Sequence, residues 1–199
     1  MTRPIVNDGR LFCTGQHWIN FIRPRGAQEA TGMVSLWHTD YSLNGEGTVA
    51  YVVINTAPSY NRILTDNLEL ASFIQKWMDG RGGIYEMNLD VNSASFTRDG
   101  DIRNSPSWII DTGTDQIIAK WDEIQLPILL EAPAPRLKKE LDVQSCLFFA
   151  DSAQIMLNEH SILGEPYPVD NWQSSLGGER SSCVFALSET FIQVDGQGA

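Results

Sequence analysis

Cysteine is scarce in this chain of 199 residues, which carries only three: Cys13, Cys146 and Cys183. Their odd count, their wide spacing and the lack of a CxxC pair exclude a disulfide framework and a zinc-type cysteine cluster. We therefore expect reduced thiols that pack as small buried apolar groups, which is typical of a cytoplasmic protein.

Long apolar runs are also missing. The longest runs, such as 51–54 and 146–150, are far too short to cross a bilayer. No apolar stretch near the N-terminus has the length of a signal-peptide core. The sequence therefore predicts a cytoplasmic protein that neither enters nor spans a membrane.

Basic side chains are outnumbered, with 14 Lys and Arg against 25 Asp and Glu, so the net charge is −11. This excess of negative charge argues against nucleic acid or an anionic membrane surface as the main partner. The GxxxxGK[ST], GxGxxG, HExxH and GxSxG motifs are absent. We accordingly predict no cofactor and no metal.

What the sequence does contain is alternation of apolar and polar side chains with period two, bounded by Gly, Pro, Asn and Asp. This pattern is typical of half-buried β-strands. The clearest segment is 84–91, where Tyr85, Met87, Leu89 and Val91 share one face. The other predicted strands are 17–23, 33–42, 48–56, 107–111, 116–122, 145–150, 153–161 and 182–194.

One amphipathic helix is predicted at about 67–79. Asp66 can cap its N-terminus, with Glu69 three residues later as in a capping box, and Gly80 can end it. One helical stripe carries the apolar side chains, which are Leu70, Phe73, Ile74, Trp77 and Met78. This face must be buried, either on a sheet, at a barrel end or as a lid over a ligand.

The pattern predicts one mainly β domain over residues 1–199, folded as an antiparallel barrel or sandwich. A barrel of roughly eight to ten strands can hold one small ligand. The alternative is an α+β fold with the helix packed on a curved antiparallel sheet. The proline-containing segment 123–140 is expected to be an edge or a connection, with a short helix near 136–141, and 162–181 a surface loop.

A short N-terminal motif bears on the architecture. Gly15, Gln16, His17 and Trp18 resemble the glycine-then-tryptophan start of lipocalin-like barrels, although the spacing differs from the usual Gly-x-Trp. The resemblance serves as an analogy for architecture only, because a fold does not fix a function.

His38 and Asp40 are candidate catalytic residues. Side chains at i and i+2 of a strand share a face, so the carboxylate can orient or charge the imidazole. If that face lines a cavity, the two form an acid–base pair. The structural alternative is a satisfied or exposed pair.

Glu189 is the third catalytic candidate, because strict alternation puts it on an apolar face with Phe185, Leu187 and Phe191. A carboxylate there either reaches solvent at a barrel mouth or is buried with a partner. Burial would suit it to acid–base work near neutral pH. Arg23, also on an apolar face, is the candidate partner.

Aromatic side chains in the predicted strands could line a pocket for a flat or apolar ligand. The predicted ligand-binding residues are Trp18, Trp37, Trp121, Phe185 and Arg23. The structural alternative is that the aromatic residues fill the core.

Three functions remain open. The first is binding of a small, largely apolar molecule inside the barrel. The second is a cofactor-free acid–base enzyme, such as an isomerase, hydratase or cyclase. The third is a structural or protein-interaction module, with a homodimer as one form, because Ile118 lies on the polar side of its strand.

Overall fold

The computed structural model describes residues 9–57, 59–134, 141–170 and 176–193. Within these residues the chain forms one α-helix, α1 (Leu68–Met78), one 3-10 helix (Gly83–Glu86) and fourteen strands. The strands are β1 (Arg10–Ile22), β2 (Gly32–Ser42), β3 (Gly47–Ile54), β4 (Tyr60–Thr65), β5 (Asp90–Ser93), β6 (Ser95–Asp99), β7 (Ser107–Asp111), β8 (Gln116–Ile124), β9 (Ile128–Pro133), β10 (Leu141–Leu157), β11 (His160–Ser161), β12 (Pro168–Val169), β13 (Arg180–Ser181) and β14 (Cys183–Gln193).

Ten strands form the wall of a nearly closed barrel, in the order β5-β4-β3-β2-β1-β14-β10-β8-β7-β6. β9 and β11 pair with β10, and β12 and β13 form a separate two-stranded sheet. Neighbouring strands of the wall are antiparallel except β4 and β5, which are parallel. The predicted mainly β architecture with one helix is therefore confirmed, and it is a barrel-shaped sheet.

The barrel is closed by a short segment that changes partners in its middle. We call residues 90–99 the clasp. Its first half pairs with β4, from Arg62 opposite Asp90 to Thr65 opposite Ser93. After Ala94, its second half pairs with β7. The clasp thus joins the two ends of the strand order, and all four side chains of β5 are exposed.

The interior of the barrel is apolar because alternate residues of each strand point inward. The interior cluster draws side chains from eight of the wall strands and consists of Trp18, Ile22, Val34, Leu36, Ala50, Val52, Ile54, Leu64, Trp108, Ile110, Ile117, Ala119, Trp121, Ala150, Ile155, Leu157, Cys183 and Phe185. Both faces of β3 are buried from Thr48 onward, since its other face supports α1.

α1 packs its apolar stripe on the outside of the barrel. This agrees with one of the alternatives for the predicted helix, which was burial on a sheet. Its buried residues are Leu70, Ala71, Ile74, Trp77 and Met78. The predicted caps are wrong by one residue at each end. Asn67, whose side chain accepts hydrogen bonds from the amides of Glu69 and Leu70, is the N-cap in place of Asp66. Asp79 is the C-cap in place of Gly80.

The strand predicted at 84–91 is wrong over most of its length. Gly82 and Gly83, both with positive φ, lead into the 3-10 helix Gly83–Glu86, and only the last residues of the segment join β5. The alternation of apolar and polar side chains in this segment therefore does not reflect pairing with another strand. The 3-10 helix buries Ile84 instead, and its chain lies on the outside of the barrel against β3.

Other strand predictions need only changed boundaries. The segments 145–150 and 153–161 belong mainly to one long strand, β10, which pairs with β14 in its first half and with β8 in its second. β9 is the extended edge expected within 123–140. The short helix predicted near 136–141 falls almost wholly outside the described residues, and Leu141 begins β10.

Within the described residues, α1 and the 3-10 helix are too short to cross a membrane.

Candidate functional site

The middle of the barrel is occupied by aromatic side chains that we predicted as ligand contacts. Trp18 and Phe185 stack with ring centroids 4.2 Å apart, and Trp121 meets Trp18 at 5.1 Å. Phe148 stacks on the other side of Phe185 at 5.1 Å. Trp18, Trp121 and Phe185 are 0% exposed, so in this structure they fill the interior.

Most polar atoms in this interior are matched to partners, but the buried N–H of Trp108 has none among the described residues. The Trp121 indole N–H donates to the carbonyl of Ile19 over 2.8 Å, and the Trp18 N–H donates to the side chain of Gln16. Asn20, also fully buried, donates to the carbonyls of Lys120 and Gln154. These bonds fix the aromatic residues in place.

An open groove lies at one end of the barrel, where the clasp changes partners. We call it the seam groove. It has a volume of about 390 Å³. Its lining comes from the start of β4, from β5 and from the β7–β8 turn, and comprises Tyr60, Arg62, Asn92, Ser93, Thr112, Thr114 and Asp115. A volume of this size is typical of small-molecule sites.

The chemistry of the seam groove is mixed. Tyr60 packs against the interior cluster and so connects the groove to the apolar core. The Arg62 guanidinium lies 5.9 Å from the Tyr60 ring centroid and 3.9 Å from the carboxylate of Asp90. Burial and nearby Asp115 raise the pKa of the Tyr60 phenol, so this hydroxyl keeps its proton to a higher pH than an ordinary tyrosine. The groove thus combines one cation and the carboxylate of Asp115 with hydroxyl and amide groups.

Two other surface grooves differ from the seam groove in position and charge. The groove of about 640 Å³ beside the start of α1 is lined in part by the carboxylates of Glu46, Asp66 and Glu69. The groove of about 360 Å³ near Arg180 also contains Asp151 and Glu179. Neither lining includes Tyr60 or another of the partly buried apolar residues that pack against the interior cluster.

His38 and Asp40 lie together at the rim of the barrel. The His38 Nε2 atom is 3.8 Å from the Asp40 carboxylate, and Nδ1 is 3.0 Å from the Thr48 hydroxyl. The side chains are 37% and 63% exposed, so the pair contributes little to stability. They stay a predicted acid–base pair, with water free to reach both groups.

Glu189 lies on the other face of the sheet from His38. Along β1, Gln16 pairs with His38 whereas Gly15 pairs with Glu189, and successive residues of a strand point to opposite faces. His38 and Glu189 both line a narrow gap beside Gly15, but this gap is too small to admit a water molecule and so offers no ligand cavity. A cofactor-free mechanism that uses all three at once has no support in this arrangement.

A β-bulge separates Glu189 from two of its three predicted neighbours, Phe185 and Leu187, whereas Phe191 shares its face as predicted. β10 pairs Cys146 with Ser188 and Leu147 with Ala186, which leaves Leu187 as an extra residue. This shift leaves Phe185 in the interior while Glu189 points outward.

Arg23 is not the partner of Glu189. Its guanidinium instead lies 4.1 Å from the ring centroid of Tyr167. Glu189 contacts His17, whose Nδ1 atom is 3.2 Å from Oε2, and accepts a hydrogen bond from Ser145.

Trp37 also lies outside the barrel. Its ring stacks on His17 with centroids 3.6 Å apart and contacts Trp77 of α1. The five predicted ligand-binding residues thus divide between the interior, the outer face and the Tyr167 contact.

Comparison of the chain with known protein families, curated proteins and solved structures finds no match. Within the described residues, no group of three or more His, Cys, Asp and Glu side chains could hold a metal.

Sequence reasoning missed the residues of the seam groove. Tyr60 and Arg62 belong to β4, a strand that was not predicted, and Asp115 lies in a turn. The available signal was the run 111–115, whose Asp, Thr and Gly residues are typical of a β-turn that presents side chains to solvent.

Proposed function

We propose that this barrel binds a small, largely apolar molecule at the seam groove, with a polar or anionic end beside Arg62 and an apolar part against Tyr60. The observation that carries the proposal is the groove of about 390 Å³ at the end of the barrel, connected to the aromatic interior through Tyr60. This differs from the middle of the barrel, which Trp18 and its neighbours occupy.

The clasp supports this location. Other neighbouring strands of the wall pair with one another over more residues. β5 contributes only four paired residues, and all four are exposed. Segments with little buried surface open locally at lower free energy than the core. An apolar ligand can therefore reach inner side chains at the seam with less disruption than at any buried strand.

The charges of the groove favour a particular ligand class. Arg62 is the one cation among the lining residues, and Ser93, Thr112 and Thr114 supply hydroxyls. A carboxylate, sulfonate or hydroxyl at one end of the ligand would be recognised by these groups. An aromatic or aliphatic body would pack on the Tyr60 ring.

The test uses 8-anilinonaphthalene-1-sulfonate, a flat apolar probe with one anionic group. We expect saturable binding to one site, measured by probe fluorescence and by titration calorimetry. The variants Arg62→Met and Tyr60→Ala should each weaken binding by about tenfold, which corresponds to about 1.4 kcal/mol.

Arg103→Met is the matched control. Arg103 also lies beside an aspartate, 3.7 Å from Asp101, but in the turn between β6 and β7 and outside the seam groove. Binding should be unchanged in this variant. Absence of saturable binding, or equal affinity in all three variants, would disprove the proposed site.

A further inference from the structure

A second polar cluster lies on the outer face of the barrel, away from the seam groove. We call it the outer cluster. It joins Glu189 of β14, His17 of β1 and Ser35 of β2. Glu189 Oε2 lies 3.2 Å from His17 Nδ1, and His17 Nε2 lies 3.0 Å from the Ser35 hydroxyl. A carboxylate, an imidazole and a hydroxyl thus follow one another from three neighbouring strands.

Two further hydroxyls complete the cluster and allow hydrogen bonds to be donated along it in one consistent direction. Ser145 donates to Glu189 Oε1 over 3.1 Å. The Tyr85 hydroxyl lies 2.7 Å from Ser35 Oγ. Burial raises the pKa of Tyr85 to about 12, so the phenol keeps its proton and can donate it to Ser35. Ser35 can then donate to His17 Nε2. Glu189 Oε2 contacts His17 Nδ1 as an ion pair but accepts no hydrogen bond among the described residues, so a small rotation of the imidazole is needed to align the Nδ1 proton with it.

The cluster is buried in an apolar surrounding, where polar groups are costly unless they are matched. The His17 and Glu189 side chains are each 12% exposed, and Ser35 is 0% exposed. The His17 ring also stacks on Trp37 at 3.6 Å, which fixes its orientation. Packing and register alone do not require an imidazole between these two partners.

Unpartnered polar atoms surround the same cluster. The Trp37 indole N–H is buried and approaches the Tyr85 hydroxyl without forming a well-aligned hydrogen bond to any of the described residues. The Tyr51 hydroxyl, from a ring that contacts Tyr85, has no such partner either. Buried unpartnered groups require an explanation, and a bound polar group is one.

We propose that Ser35, His17 and Glu189 form an acyl-transfer site for small carboxylic esters, covered in this structure by Tyr85. The three groups have the arrangement that activates a serine nucleophile: a base within hydrogen-bond reach and a third group that orients the base. The unpartnered Trp37 N–H is a donor for the oxyanion that forms during attack.

The reaction has two steps. Ser35 Oγ attacks the carbonyl carbon of the ester while its proton passes to His17 Nε2. The ester C–O bond breaks, and the alcohol leaves with that proton, which leaves the acyl group on Ser35. Water then attacks the acyl carbon as His17 takes one of its protons. The carboxylic acid leaves, and the proton returns to Ser35.

Tyr85 is a cover in this scheme. Its hydroxyl occupies the position next to Ser35 Oγ that a substrate would take. The residue follows Gly82 and Gly83, whose φ values of 78° and 61° are accessible to glycine at little cost. This backbone gives the segment a hinge by which Tyr85 can leave Ser35.

The test is labelling by a fluorophosphonate probe, which forms a P–O bond with an activated serine and releases fluoride. Mass spectrometry of the intact and digested protein locates the label. We expect labelling at Ser35 in the wild-type protein and none in Ser35→Ala. His17→Gln and Glu189→Gln should each slow labelling by about 100-fold.

Tyr85 variants separate a cover from a merely structural residue. Tyr85→Ala should label about tenfold faster than wild type, since the cover is removed, while a structural role would predict no gain. Tyr85→Phe keeps the ring and loses only the hydroxyl, so it serves if the alanine variant does not fold, as judged by near-ultraviolet circular dichroism.

His160→Gln is the matched control for the histidine variant. His160 is exposed in β11, on a different part of the surface, and its removal should leave the labelling rate unchanged. The proposal is overturned if folded wild-type, Tyr85→Phe and Tyr85→Ala proteins all fail to label at Ser35, or if the label persists in Ser35→Ala. Neither result bears on the seam groove.

Discussion

The interior and the outer face of the barrel are both rich in aromatic residues, yet they differ in how many of their buried polar atoms have hydrogen-bond partners. In the interior, the N–H groups of Trp18 and Trp121 donate to Gln16 and to the carbonyl of Ile19. On the outer face, the N–H groups of Trp37 and Trp77 have no partner among the described residues. The interior has one exception, Trp108, whose buried N–H also has no partner among the described residues. The two regions therefore differ in how many of their buried indole N–H groups are matched.

The difference lies in how completely each region matches its buried polar atoms. The filled interior stabilises the barrel, with Trp108 as its one unmatched indole N–H among the described residues. Unmatched donors on the outer face cost stability, because each buried N–H has lost its bond to water without gaining another. The presence of aromatic residues alone does not reveal this difference, because the interior and the outer face are both rich in them.

The largest effect should come from the interior. Trp18→Ala removes a fully buried side chain that contacts Trp108, Trp121 and Phe185. We expect the free energy of unfolding to fall by about 3–5 kcal/mol, measured by chemical denaturation. A loss below about 1 kcal/mol would show that the interior is not the stabilising core.

A smaller loss should follow from removing a polar group that satisfies the interior. Asn20→Ala would leave the carbonyls of Lys120 and Gln154 without their donor. The expected destabilisation is about 1–3 kcal/mol, again by chemical denaturation. Asn104→Ala, in the exposed turn between β6 and β7, is the control and should change stability by less than about 0.5 kcal/mol.

Alkaline pH should weaken both regions through their buried thiols. Burial raises the pKa of Cys13, on the outer face, and of Cys183, in the interior, to about 12 from an ordinary 9.0. Above about pH 9 the unfolded chain therefore releases protons that the folded chain retains, and stability falls by about 1.4 kcal/mol per pH unit for each thiol.

Denaturation measured between about pH 8 and pH 10 tests this prediction. Cys13→Ala and Cys183→Ala should each show a shallower slope of the free energy of unfolding against pH. An unchanged slope in both variants would contradict it.

The smallest effect should come from the outer face. Tyr51→Phe removes a buried hydroxyl that has no hydrogen-bond partner among the described residues. Because no bond is lost, we expect stability to stay within about 0.5 kcal/mol of wild type or to rise slightly. A clear destabilisation would mean that this hydroxyl has a hydrogen-bond partner in solution. The outer face would then resemble the interior, where Asn20 is matched, more closely than the structure indicates.

Period-two alternation predicted much of the wall, because a barrel imposes one inward and one outward face along each strand. It also placed Trp121 opposite the outward-facing Lys120. It failed for 84–91, where an alternating pattern belongs to a 3-10 helix and its flanks. Local pattern cannot distinguish a strand from a chain that lies on a sheet, since strand pairing is a property of distant residues.

The outer cluster was harder to predict than the wall. Glu189 was identified by its apolar neighbours, but the bulge at Leu187 reversed the face that its side chain occupies. Gly15 shows a related limit. A Cβ at this position would clash with the backbone of His38, so the glycine is required by close approach of two strands at a register shift. Bulges of this kind are set by pairing with neighbours and leave little trace in one strand's own sequence.

The clasp has one further consequence, for solubility. If residues 90–99 separate from β4 and β7, the barrel wall becomes an open sheet with two uncovered borders of amide and carbonyl groups. Such borders recruit strands from other molecules. The attachment of the clasp would then determine how readily the protein aggregates.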